Sequence, residues 1–227
     1  MNLQQIENQS SAFFEKVNHL AKLERLIAIL LIFTPLILFL GDMEHQTEFR
    51  DSISNYFFMQ DSYWFGSLLT LAAALFIYNG VQHISYQKDV ELASVENRFG
   101  RGYNVIFGLA LFGVLFFNHI DYVWLHYFFA IAFFGGCALA MLLTKKTGLK
   151  RIGDVLGLLT LVVLGVHFLL EYFLMKGANP FTLLWAEWVG LIFIAIYFVL
   201  ESFERNIREV RYQEQKRADR GGGASQP

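Results

Sequence analysis

The sequence predicts an all-α fold: a polytopic membrane helix bundle of six transmembrane helices with both termini cytoplasmic. Three observations predict it. Of 227 residues, 55% are hydrophobic and only 17% are charged, where a soluble domain carries about a quarter charged. The apolar residues lie in long blocks rather than in amphipathic stripes. The basic residues gather in alternate loops. The net charge of −2 and the pI near 6.3 provide no basic patch for nucleic acid. A single cysteine, Cys137, excludes a disulfide framework and reads as a packing residue inside an apolar run.

Six blocks are long enough, or nearly so, for a hydrocarbon core that takes about 20 helical residues to cross. They cover residues 26–41, 63–78, 103–118, 122–143, 155–175 and 181–200. None alternates apolar with polar residues, which excludes barrel strands. Lipid offers the backbone no partners, which requires helices. The third and fourth spans are joined only by residues 119–121 and form a tight antiparallel hairpin. The first span is retained, because its apolar run exceeds a signal-peptide core and no A-x-A site follows. Residues 1–22 read as an amphipathic cytoplasmic leader, with Phe13, Phe14, Val17 and Leu20 on one stripe and His19 on the surface. Residues 23–200 form the transmembrane domain. Residues 201–227 form a charged helix, with Glu201–Arg205 and Glu204–Arg208 pairs, and a flexible tail.

Lys16, Lys22 and Arg25 precede span one. Lys88, Arg98 and Arg101 follow span two, Lys145, Lys146, Lys150 and Arg151 follow span four, and the remaining basic residues of that side follow span six. Of the 18 Lys and Arg, only Arg50 and Lys176 fall on the opposite side. The positive-inside rule therefore places both termini in the cytoplasm and the chain as a multi-pass protein of the cell inner (cytoplasmic) membrane. Trp64, Trp124, Trp185 and Trp188 all stand at the outer ends of spans, as an interfacial aromatic belt does.

Ionisable residues inside spans are costly and point to function. Here they lie toward the outer side: His126 in span four, His167 and Glu171 in span five, Glu187 in span six. His119 and Asp121 lie just above them, and Ser52 and Ser54 precede span two. The inner half offers mainly Thr160, Asp154 reads as a helix cap, and His45 and His83 read as solvated loop residues. Gly136 with Ala140, Ala72 to Ala74, Gly108 and Gly113 supply small-residue faces for close packing, within the chain or between copies.

One resemblance follows from these motifs. SISNYFF precedes span two, which ends YNG; then come GLALFGVLFFNH, LHYFFAIAFF and LWAEWVGLIF. The order resembles an uncharacterised bacterial family of six-helix integral membrane proteins. That family carries I-S-[DN]-Y-Y before the second helix, L-H-Y in the fourth and W-x-E in the sixth. The matching positions are Ser52, Ser54, Asn55, Tyr56, His126 and Glu187, with Asn55 where an Asp is expected. A more distant likeness is to intramembrane hydrolases of the alkaline ceramidase and progestin/adiponectin receptor type. Those have seven helices and hold zinc by three His, an Asp and a Ser. This chain has six spans, and H-x-x-x-E where they have H-x-x-x-H.

Two readings stay open. In the first, a protonatable outer pocket that includes Ser52, Ser54, Tyr56 and Glu187 binds a membrane lipid or small ligand, or serves a partner subunit or a second copy. In the second, His119, His126 and His167 hold a zinc ion, and Glu171 or Asp121 acts as the base of a lipid amide or ester hydrolase.

Overall fold

The computed structural model describes residues 3–45, 47–86, 101–143, 149–174 and 181–222. Helix α1 covers Leu3–Gly41, and a 3-10 turn covers Ile53–Phe58. Helix α2 covers Tyr63–Tyr86, and α3, Asn104–Phe116, follows the short 3-10 turn Arg101–Tyr103. Helix α4 covers Val123–Leu143. Helix α5, Lys150–Leu169, runs into a π-helical turn, Leu170–Leu174, and α6 covers Leu183–Gly222. No strand occurs among the described residues.

Five stretches are long and apolar enough to cross a membrane: Asn18–Gly41, Tyr63–Ser85, Val123–Leu143, Lys150–Leu174 and Leu183–Glu204. Asn104–Phe116 is apolar but shorter. The outward face is apolar as well, with Leu40, Phe116, Phe128, Ile131 and Phe173 more than 60% exposed. Apolar area on this scale belongs against another apolar phase, and these helices suggest a membrane protein.

Each helix packs against the next, and α1 closes the ring by packing against α6. We call the end that carries the 3-10 turn the upper end. Three alternate helices each send one phenylalanine to the middle of the ring: Phe76 from α2, Phe133 from α4 and Phe198 from α6. Phe76 meets Phe133 and Phe198 edge to face, with centroids 5.6 and 5.4 Å apart. That geometry aligns a ring edge with a partner's negative face.

Small residues set the spacing. A Cβ added at Gly80 would lie 2.5 Å from the Val105 nitrogen, and one at Gly108 would lie 2.6 Å from the Ala73 carbonyl oxygen. The α2 and α3 backbones therefore meet where any larger residue would hold them apart. Gly113 lies under Phe129 and Gly136 under Phe107, which joins α3 to α4. The small faces expected from the sequence are thus used inside the chain. Pro35 lies within α1 and removes one helical donor. Around it, Thr34 Oγ1 donates to the Leu30 carbonyl at 2.7 Å, and Trp188 Nε1 of α6 donates to the Ile32 carbonyl at 2.9 Å.

Helix α1 runs through residues 3–22 into the first apolar stretch without a break, and Leu20 is buried. Two sequence expectations meet a different arrangement. Asp154 is not a cap: α5 begins at Lys150, and Asp154 pairs with Lys150 one turn on. His83 is not a loop residue but a completely buried one near the end of α2. Lys88, Arg98, Lys145, Lys146, Lys176 and the final residues 223–227 lie outside the described residues, as do the side chains of Phe13, Phe14, Val17, Arg205 and Arg208.

Candidate functional site

The upper half of the ring forms a partly open cavity of about 60 Å³. Its walls are apolar, from Leu31, Phe65, Leu69, Ala72, Leu111 and Phe133 among others, with Thr34, Ser54, His126 and Glu187 as the polar members. By volume it has room for a few water molecules.

Segment 50–58 roofs this cavity, and its sequence explains its shape. Ser52 sits in extended backbone (φ −148°, ψ 162°) and its Oγ accepts the Asn55 N–H at 3.2 Å, capping the 3-10 turn. Ser52 Oγ also lies 3.0 Å from Ser54 Oγ. The turn is tied to α6 twice. Glu187 Oε2 accepts the Ile53 N–H at 2.8 Å. The Asp51 carbonyl accepts the Leu184 N–H at 2.6 Å, which occupies one of the orphan donors of the first helical turn. A backbone donor without such a partner would cost about 1–3 kcal/mol at this burial.

Above the turn, Arg50 Nη2 donates to Asp42 Oδ1 at 3.1 Å and to Glu44 Oε2 at 3.0 Å. Its guanidinium carbon stands 5.9 Å from the centroid of the buried Tyr56 ring. The hydrogen-bonded guanidinium holds the Asp42 carboxyl below the usual carboxylate range. Asp42, Glu44 and His45 place ligand atoms within 4.8 Å of one another, but Arg50 already supplies the positive charge there.

Of the residues singled out in the sequence for a metal centre, His119 and His126 are ring neighbours. His126 Nδ1 lies 2.7 Å from the Phe117 carbonyl oxygen and the ring borders the cavity. His119 stands 5.7 Å from His126 by ring centroids and 5.5 Å from Phe58. Burial pulls the His119 imidazole below its ordinary value. His167 is buried beside Phe181, its Nδ1 2.8 Å from that residue's carbonyl oxygen. Glu171 lies in the π-helical turn, where bonding shifts from i+4 to i+5. Asp121 is exposed and accepts from Asn118 Nδ2 at 2.8 Å, closing the α3–α4 loop. Among the described residues, Asp42, Glu44 and His45 form the one group of three or more such ligands. The structure therefore brings Ser54, His126 and Glu187 to one cavity, with Ser52 and Tyr56 in its roof. It does not gather His119, His126 and His167 into one coordination sphere.

A second polar level, at the lower end, was missed by the sequence reading, which found mainly Thr160 there. His83 Nε2 of α2 lies 3.6 Å from Glu24 Oε1 of α1, and both side chains are completely buried. Asn104 Nδ2 of α3 donates to Asn79 Oδ1 of α2 at 2.6 Å. Arg25 Nε donates to Ser202 Oγ of α6 at 3.0 Å. One signal was available: Asn79 and His83 follow Phe76 at i+3 and i+7, on the inward stripe of α2. Counting apolar blocks ended that helix at Tyr78 and hid them.

The arrangement defines an all-helical, apolar-faced bundle with a small interior cavity. Residues 33–202 match DUF7103, a family of unknown function, and the chain belongs to that family. No curated protein and no solved structure matches the chain. The likeness to intramembrane hydrolases thus finds no support in these comparisons.

Proposed function

We propose that the protein is a six-span component of the cell inner membrane, both ends cytoplasmic, whose upper cavity binds a small apolar ligand or the end of a lipid chain. The sidedness of the basic residues supports the orientation. Asn104–Phe116 is the shortest span, about 20 Å at 1.5 Å per residue.

The observation that carries the binding reading is the cavity itself: an apolar chamber with one carboxyl group, Glu187, on its wall. Small-ligand sites are built this way, apolar with a few polar groups that fix orientation. A carboxyl oxygen selects a ligand with a hydrogen-bond donor, so an alkanol suits the site better than an alkane of equal length. Glu187 also holds the roof, so an occupant next to it would bear on the 3-10 turn.

Thermal unfolding in lipid nanodiscs with a methanol-to-octanol series, whose short members match a cavity of this size, tests this. A ligand present at 100 times its dissociation constant stabilises by about 2.7 kcal/mol. The expected result is a saturable rise in Tm for one or two chain lengths. Ala72→Phe, which fills the cavity, should abolish the rise, and Glu187→Leu should reduce it. A rise unchanged in Ala72→Phe, or no rise with any alkanol, overturns the reading.

A further inference from the structure

Two small, partly open cavities lie on either side of the phenylalanine cluster. Phe133 lines the upper cavity. Phe198 lines a lower one of about 20 Å³, bounded also by Tyr103, Asn104, Cys137 and Tyr197. Phe76 touches both rings. The three come from alternate helices of a closed ring, so they block its middle rather than one side.

Proton-accepting groups stand on both sides of this block. Above it are His126, seven residues before Phe133 on α4, and Glu187, eleven residues before Phe198 on α6. At 1.5 Å per residue these lie roughly 10 and 16 Å above their phenylalanines. Below it is His83, seven residues after Phe76 on α2, against Glu24 of α1. The other polar groups of that level are Arg25 of α1, Asn79 of α2, Asn104 of α3, and Tyr197, Glu201 and Ser202 of α6. Buried ionisable groups are expensive at membrane depth, and those found there mark ion paths and proton relays. Apolar constrictions close such paths by excluding water.

We propose that the ring is a gated proton path, closed in this structure by Phe76, Phe133 and Phe198, with Glu187 and His126 above and the Glu24–His83 pair below. One proton taken up at one level is released at the other, each carrier returns to its starting state, and no co-reactant is consumed. The proposal goes beyond ligand binding. It uses the same upper cavity, so a ligand there would obstruct the passage.

Proton flux tests it, with the full chain in phosphatidylethanolamine–phosphatidylglycerol vesicles enclosing a pH-sensitive dye, driven by a potassium gradient and valinomycin, with no alkanol present. Wild type should stay near empty vesicles. Phe133→Ala and, separately, Phe198→Ala should raise the flux about tenfold or more by removing the constriction. Adding His83→Gln to either should return it to the wild-type rate. Two variants guard against one failing to fold, and gel filtration of each identifies a misfolded one. No rise in a folded phenylalanine variant overturns the proposal. So does a rise that His83→Gln leaves intact, because that is an unselective leak. Alkanol binding without flux would sink this proposal and spare the ligand reading; flux without binding would do the reverse.

Discussion

Arg50→Met is expected to destabilise the protein by about 3 kcal/mol, the cost of removing one partner from a buried ion pair. Asp42 keeps a side chain 1% exposed and Arg50 one 11% exposed, so solvent does little to replace the lost partner. The substitution also withdraws the guanidinium from the Tyr56 ring. The effect should be visible as a lower midpoint in denaturant titration of the detergent-solubilised protein at pH 7. Asp42→Asn combined with Arg50→Met should recover part of the loss, because no buried charge then stands alone. The pH dependence follows the same pair. The folded Asp42 carboxyl ionises below its ordinary value of 3.8. Its contribution is therefore present above about pH 4 and is lost as pH falls through the folded value. In Arg50→Met the guanidinium no longer holds that carboxyl down, so the stability gap between wild type and variant should narrow as pH falls below about 4. A variant within about 0.5 kcal/mol of wild type, the range of ordinary surface changes, would show that this cluster contributes little.

The second large effect is expected at the α2–α3 seam. Gly108→Val should cost about 3 kcal/mol, the upper end of the usual range for overpacking. The added Cβ would meet the Ala73 carbonyl oxygen at 2.6 Å and the Ile77 nitrogen at 2.9 Å, and backbone atoms cannot rotate aside. Gly165→Ala is the control, because nothing lies within 4 Å of its added Cβ. It should be neutral or stabilising by up to about 1 kcal/mol, the difference in helix propensity. Equal effects at the two positions would mean that α2 and α3 do not approach as closely as described.

Long apolar blocks were readable because a helix that is apolar on all sides is recognised by its length alone, whatever its rotation. Glu187, His126, Ser52, Ser54 and Tyr56 were readable for a related reason: each is polar or amphipathic and sits in or beside an apolar run. The Arg50–Asp42 pair was not, because loop charges carry no periodicity to say which of them meet. The lower level escaped for another reason. Glu24 and His83 lie 59 residues apart and become costly only when they face inward together, and helix rotation cannot be taken from hydropathy alone. The same limit applied to His119, His126 and His167. Their sequence positions allowed a common centre, but the structure sets only His119 and His126 side by side, with His167 turned to the Phe181 carbonyl.

The closure of the ring by α1 and α6 also has a consequence in time. Arg25 and Ser202 are 177 positions apart, and Trp188 and Ile32 are 156 apart. Synthesis delivers α1 first and its partner last, so α1 waits through the making of four helices with Arg25 and the Ile32 carbonyl lacking their α6 partners. Contacts this distant along the chain are slow to form. The α1 side of this seam is thus the last face of the ring to meet its partner.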